Sequence, residues 1–492
     1  MTEGILVIDV GTSNVRAAVV SPDASVDHVR YARIESASPT PGLVELDADR
    51  LADTVLELAA ATVKAAGAVA GVGVTNQRAT SVVWERSSGK AVAPAIGWQD
   101  LRTVGKCLEL QGAGIRLAPN MSATKIAAIL DEVDPGRKRG SELCAGTVDS
   151  WVAWTLAGGP DTALHVTDAT NAAVTGLVRP EGDWGAWDER VLEALAIPAE
   201  ILPELVDTSG VVADAAAVPG SPPLCALVGD QQASLVGQGC TRPGMAKATF
   251  GSGAMLDLVT EGVPPRAGRG GAGTYPIVAW RRAGSTVWGV EAIMLTAGTC
   301  VEWLRDLGVI ASAVESSSVA GTCATSDDVW FVPALMGMGT PVWDFGARGT
   351  LVGVTRSTGR PQLVRAVLEG IAHRGADLLE AAEADSGATV GELRVDGGMS
   401  ANDVFVQALA DACGRPVALS AELEATTLGA GLLAGLALGT WKDTDDMAAA
   451  YRPRATVEPR LDGPARSVLR DRWTQARDKA VRTIPELSGI DF

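Results

Sequence analysis

Two acid-bearing turns stand apart from the rest of the chain. In Val228-Gly229-Asp230-Gln231-Gln232 a carboxylate follows an apolar run and a glycine, and two amides come directly after it. Upstream, the apolar run Ile5 to Val10 carries Asp9 near its end and leads into Gly11, Thr12 and Ser13. Two strands that deliver Asp9 and Asp230 to one place would assemble a phosphoryl-transfer site. One acid would hold a metal and the other would take the proton of an attacking hydroxyl. Taken alone, Asp230 reads first as a strand-end acid capping a following helix, and the Gly11 turn reads as easily as a plain β-turn. No GxxxxGK[ST] run occurs, so a P-loop is excluded as the phosphate cradle.

The elements that must position these acids alternate between strand and helix. Ile5–Val10, Val15–Val20 and His28–Ile34 read as strands, and Asp47 to Ala66 as an amphipathic helix with Leu51, Val55, Leu58 and Val63 near helical spacing. Val69–Val74 is a strand running into the polar turn Thr75-Asn76-Gln77-Arg78. The rhythm restarts with strands over Ala246–Phe250, Ala254–Thr260 and Thr286–Glu291, the turn Gly251-Ser252-Gly253 lying between the first two. A long helix over Leu363 to Ala382 and a strand over Leu393–Val395 follow. This is an α/β chain in two halves that each open with strand, glycine turn, strand, which points to a duplication around a central cleft. The glycine and proline punctuation over Gly239–Gly244 sets the expected division at 1–239 and 240–492.

Bulk properties narrow the class. A chain of 492 residues exceeds one core. Its net charge of −18 argues against a nucleic-acid or anionic-membrane surface, while leaving room for an anionic ligand held by backbone N–H groups. Seven scattered cysteines without CxxC spacing speak against a zinc site or disulfide framework and for a reducing cytoplasm. Met1 to Gly4 has no positively charged side chain, so no signal peptide is expected. The longest apolar run, Ala425 to Leu438, is short and rich in Gly and Thr, and reads as a core helix rather than a membrane span.

Taken in order, these segments resemble the FGGY carbohydrate kinases, and within them the glycerol kinases. The resemblance rests on Asp9 to Arg16, Gly73 to Arg78, Ile96 to Asp100, Gly146 to Trp151, His165 to Asn171, Gly229 to Gln232, Asp344 to Gly353, Asp396 to Asn402 and Thr426 to Ala430. It implies two ribonuclease-H-like domains of the actin/hexokinase/Hsp70 type flanking a cleft, with ATP and Mg2+ as cofactors. The acceptor and the base would lie in the first domain and the nucleotide mainly in the second. It also implies a small-molecule acceptor, no nucleic-acid or membrane partner, and a homo-dimer or homo-tetramer.

The resemblance implies Asp230 as general base and Asp9 as the Mg2+ holder, directly or through water. Thr12, Ser13 and Arg16 correspond to phosphate contacts in the first turn, and Ser252 to one in the second. Gly298, Gly398 and Asn402 correspond to the adenosine side, although Asn402 also reads as a helix cap. Arg78, Trp98 and Gln231 correspond to acceptor-binding positions, although Trp98 also reads as a core aromatic. His28, His165 and His373 are scattered and carry no assigned role.

Departures from the glycerol-kinase pattern fall on the acceptor side. Ala79 stands where Glu usually follows the arginine, Asn120 where a Tyr is usual, and Met255 where a Phe is usual. Losing the Glu removes a hydrogen-bond acceptor for a substrate hydroxyl, worth about 1–3 kcal/mol where its partner is left unpaired. Glu302 also replaces a Gln near Gly298. The implied activity is phosphorylation of glycerol or a related polyol. A kinase for a longer polyol or a xylulose-type pentulose is the alternative, and a non-catalytic nucleotide-binding regulator a more distant one. The segment Pro219-Gly220-Ser221-Pro222-Pro223 lacks the arginine of a sugar-phosphate loop, so no regulation by fructose bisphosphate is expected.

Overall fold

The computed structural model describes residues 3–179, 185–262, 268–422 and 424–490. Two mixed sheets dominate it. The first contains β1 (Ile5–Val10), β2 (Asn14–Val20), β3 (Val26–Arg33), β4 (Gly71–Asn76), β5 (Ser209–Asp214) and β6 (Pro223–Gly229), in the order β5-β6-β4-β1-β2-β3. The second contains β7 (Ala246–Phe250), β8 (Ala254–Val259), β9 (Tyr275–Arg282), β10 (Ser285–Met294), β11 (Leu393–Asp396), β12 (Val417–Ser420) and β13 (Pro453–Val457), in the order β9-β10-β8-β7-β11-β12-β13.

The two sheets share one scheme. β1 and β2, then β2 and β3, pair antiparallel, while β4 joins β1 in parallel and β6 joins β4 in parallel. In the second sheet β7 and β8, then β8 and β10, pair antiparallel, while β11 joins β7 in parallel and β12 joins β11 in parallel. The series β3-β2-β1-β4-β6 and β10-β8-β7-β11-β12 therefore agree in order and direction. The repeated strand, glycine turn, strand opening thus sits in a repeated sheet topology.

Local chemistry explains where the elements begin and end. β1 is buried along its whole length, as a strand with a parallel neighbour and covered faces must be. Helix α1 (Ala48–Ala66) starts where the Asp47 carboxylate accepts the Arg50 N–H at 2.9 Å, and it buries Leu51, Val55, Ala59 and Val63. Short α2 (Asp230–Gly237) follows β6 without a loop, and α3 (Gly298–Asp306) begins just past β10. Helix α4 (Arg360–Ser386) is longer than the expected 363–382, because Pro361 suits its first turn and Gly387, at φ 71°, stops it. The strand expected at 69–74 is displaced to Gly71–Asn76, since Thr75 and Asn76 pair with Val228 and Gly229 of β6.

Helix α5 (Asp403–Cys413) packs on α4 within the second half. Helix α6 (Ala425–Leu438) is buried on nearly every side, as its uniform apolarity predicts. It comes late in the chain yet covers the first sheet: Leu428, Leu432 and Leu433 share a core with Ile5, Val7, Val20 and Val228. It also crosses α2 so closely that a Cβ at Gly237 would collide with the Ala425 carbonyl, and one at Gly429 with the Ala233 carbonyl. A smaller five-stranded sheet that includes Ser81–Glu85 and Ala95–Ile96 carries the turn holding Trp98. Among the described residues no helix is long and apolar enough to cross a membrane.

Candidate active site

The end of β1 and the turn after it enclose a cavity of about 200 Å³ lined by Asp9, Gly11, Thr12, Ser13, Asn14 and Arg16. Asp9 is 7% exposed. Its Oδ2 accepts from Arg16 Nη1 at 2.7 Å and from Thr427 Oγ1 at 3.3 Å. Arg16 also pairs with Glu424 and lies 5.0 Å over the Tyr31 ring. Burial pushes the Asp9 carboxyl up to about 6 against the pull of Arg16, with Asp230 and Glu424 adding to the rise. The two acids are therefore close enough to feel each other, as the sequence predicts. Thr12 is tied to Trp98, its Oγ1 accepting from Trp98 Nε1 at 3.2 Å.

Asp230 opens α2, and its Oδ1 accepts the Gln231 N–H at 2.8 Å. Arg78 Nε stands 3.5 Å from the same oxygen, and Arg78 Nη2 donates to Glu291 Oε2 at 2.6 Å. Burial raises the Asp230 carboxyl above its ordinary value, and Arg78 limits the rise. The result is an acid better suited to accepting a proton than a free carboxylate. Beside it, Gln231 Oε1 accepts from Lys247 Nζ at 2.6 Å, and Lys247 pairs with Asp257 at 2.8 Å.

Backbone carbonyls anchor the second glycine turn. The Ser252 carbonyl accepts the Ala297 N–H at 2.7 Å and the Thr299 hydroxyl at 3.0 Å, and the Gly251 carbonyl accepts the Gly298 N–H at 2.9 Å. A Cβ at Gly298 would press on that Gly251 carbonyl, so the start of α3 can lie against the turn only as glycine. Gly398 is exposed, and a Cβ there would meet nothing within 4 Å. Asn402 does cap α5: its Oδ1 accepts the Phe405 N–H at 3.1 Å, while its Nδ2 donates to Ser316 at 3.0 Å. The helix-cap reading of Asn402 is thus realised, and an adenosine contact would have to share the Nδ2 with Ser316. Glu302 turns to Arg305.

The three departures differ in their surroundings. Met255 Sδ lies 3.9 Å from Arg78 Nη2, so this position touches the Arg78 guanidinium. Ala79 is buried at φ 63°, and its carbonyl accepts from Ser122 Oγ at 3.1 Å. The Asn120 side chain is exposed; its backbone carbonyl takes a hydrogen bond from buried Lys125 at 3.0 Å.

Glu291, Lys247, Asp257, Glu424 and Thr427 were given no role by motif reading. For Lys247, Asp257 and Glu291 the available signal was one charged residue inside a strand, which ordinarily reads as a solvent-facing position. A second groove, of about 650 Å³ between Arg305–Ala311 and Thr358–Leu363, contains none of the candidate residues.

The chain matches the N-terminal domain of the FGGY family of carbohydrate kinases over residues 4–237 and the C-terminal domain of that family over 246–438. It is 41% identical to a glycerol kinase of Aromatoleum aromaticum, covering 97% of this chain and 98% of the relative. It is 39% identical to a glycerol kinase of Deinococcus radiodurans, with 97% of each covered. A Plasmodium falciparum glycerol kinase solved with ADP superposes with a TM-score of 0.90 at 27% identity, over 97% of this chain and 98% of that one. A xylulose kinase from Lactobacillus acidophilus superposes at 0.85 with 19% identity over 97% of each chain, a likeness of fold. With both domains matched and this identity kept along almost the whole length, the chain belongs to the FGGY family of carbohydrate kinases, transferases that use ATP as phosphate donor.

Proposed function

We propose that this protein phosphorylates a terminal hydroxyl of glycerol or a closely related polyol, with Asp230 as the general base. The observation that carries the reading is the pairing of a proton-hungry carboxyl at the start of α2 with Arg78 at 3.5 Å. Its support beyond geometry is the run of glycerol kinases at about 40% identity over nearly the full chain. Arg78 and Gln231 would bind the acceptor oxygens, with Trp98 as an apolar wall for its carbon-bound hydrogens. Thr12, Ser13, Arg16 and Ser252 would hold the phosphates, and Gly298, Gly398 and Asn402 the adenosine.

The residues suit magnesium. Asp9 is an oxygen donor in a small cavity where Asp230 and Glu424 add negative charge. Among the described residues no group of three His, Cys, Asp or Glu could hold a metal unaided, which suits an ion that arrives with nucleotide and keeps several waters. When bound, Mg-ATP supplies the phosphoryl group and offsets its charge. Meanwhile Asp9 would anchor the metal from the end of β1, and Asp230 would take the hydroxyl proton.

Ala79 and Met255 favour a second reading, a longer polyol or a xylulose-type ketose, because a small group and a pliable one line the acceptor side. The division of the chain at 239 and 240 and a cytoplasmic setting are part of the proposal; the seven free cysteines support the latter. ADP release is measured with Mg-ATP against glycerol, erythritol, xylitol, dihydroxyacetone, xylulose and ribulose, with a no-acceptor control. At least a tenfold preference in kcat/KM for glycerol supports the first reading. A preference for a C4–C5 acceptor replaces it with the second.

A further inference from the structure

Against Gln231 lies a fully buried lysine to which the proposed chemistry assigns no part. Lys247 is 0% exposed at the second position of β7. An ammonium removed from water is tolerated only when its protons find acceptors. Here two accept hydrogen bonds, Gln231 Oε1 at 2.6 Å and Thr249 Oγ1 at 3.1 Å, and Asp257 Oδ2 completes an ion pair at 2.8 Å. Lys247 faces Asp257 across β7 and β8, and Asp257 faces Glu291 across β8 and β10, so the charges form one row over three strands. Asp257 and Thr249 belong to the same sheet as the lysine. Gln231 does not; it comes from the first half and is the residue next to Asp230.

An ammonium only donates hydrogen bonds. Gln231 must therefore turn its carbonyl oxygen to Lys247, which directs its NH2 group the other way. We propose that Lys247 is a positioning residue for the acceptor substrate: it fixes the Gln231 amide so that a donor, not an acceptor, is presented to a substrate hydroxyl oxygen beside Asp230. The base accepts the proton of the reacting hydroxyl, and the amide holds a neighbouring oxygen. Lys247 also ties the sheet of the second half to the residue adjoining the base. This inference rests on the acceptor-kinase reading above.

Removing Lys247 alone would leave Asp257 buried without its cation, so the test uses Lys247→Met together with Asp257→Leu, which deletes both charges at similar volume. Kinetics are taken with whichever acceptor the unaltered enzyme uses best. The acceptor KM is expected to rise about tenfold, with the ATP KM within about twofold and kcat within about threefold. Adding Gln231→Ala to this variant is expected to change nothing further, because the two residues act as one unit. A crystal structure of the paired variant at better than about 1.2 Å is expected to show the Gln231 amide reversed or split between orientations. An unchanged acceptor KM, a joint rise of both KM values with a fall in kcat, or multiplicative effects at the two positions would overturn the proposal. An unaltered enzyme silent on every acceptor refutes the functional reading instead; the amide orientation in the crystal then decides the inference by itself.

Discussion

Arg78 Nη2 donates to Glu291 Oε2 at 2.6 Å, an ion pair that joins the turn after β4 of the first sheet to β10 of the second. The same guanidinium lies 3.5 Å from Asp230. Glu291 thus divides the pull of Arg78: its charge raises the Asp230 carboxyl while Arg78 lowers it. Glu291→Gln should release Arg78 onto Asp230 and weaken the base. The expected outcome is a kcat lower by about tenfold and an acidic limb of the kcat/KM profile displaced to lower pH. An unmoved limb would mean that the pair only packs.

Asp230→Asn keeps the shape of α2 and its first hydrogen bond while removing proton acceptance. Turnover should fall by about 10²–10⁴-fold, and the Kd for ATP should stay within about twofold. Titration calorimetry beside a coupled ADP assay separates the two. Retained turnover would remove Asp230 from the base role.

The sequence was legible where the signal was local. β1, β7 and α6 have the expected bounds because each is a mainly buried segment with a turn or glycine at its edge. Asp9 and Asp230 were legible because both end such runs. The row Lys247, Asp257 and Glu291 was not. Each is one charge in an alternating strand, and only the register of β7, β8 and β10 brings them together over more than forty residues of chain. Glu424 and Thr427 were hidden for the same reason, since their partners Arg16 and Asp9 lie at the opposite end of the sequence.

Lys125 gives a prediction in stability rather than rate. It is 0% exposed, and burial brings its amine down to about 7, with Asp100 working in the opposite direction. Between about pH 7 and the ordinary lysine value of 10.5, the unfolded chain binds this proton and the folded chain does not. Stability must therefore rise with pH over that window, by up to about 1.4 kcal/mol per unit from this group. Below pH 7 the penalty for the buried charge is present in full. The unfolding free energy of the native protein minus that of Lys125→Met, from urea melts at pH 7, 8 and 9, should climb with pH. A flat difference would show that the ammonium stays charged in the fold.

The crossing of α2 and α6 reverses an ordinary expectation about glycine. Replacing a mid-helix glycine with alanine usually stabilises a helix by about 1 kcal/mol. At Gly429 the added methyl has no room, because it points at the Ala233 carbonyl of α2, a backbone atom that cannot rotate aside. Gly429→Ala should therefore destabilise the protein by about 1–3 kcal/mol, the usual cost of overpacking, and lower its Tm. The displacement should also reach the chemistry. Asp230 begins α2, and Thr427, whose hydroxyl donates to Asp9 at 3.3 Å, lies two residues before Gly429 on α6. Prying the helices apart moves Asp230 and Asp9, the proposed base and metal holder, relative to one another, so kcat should fall by about tenfold or more at a temperature where the variant is still folded. An alanine at exposed Gly105 of the Val104–Gly112 helix, where a Cβ meets nothing within 4 Å, is the matched control and should leave kcat unchanged.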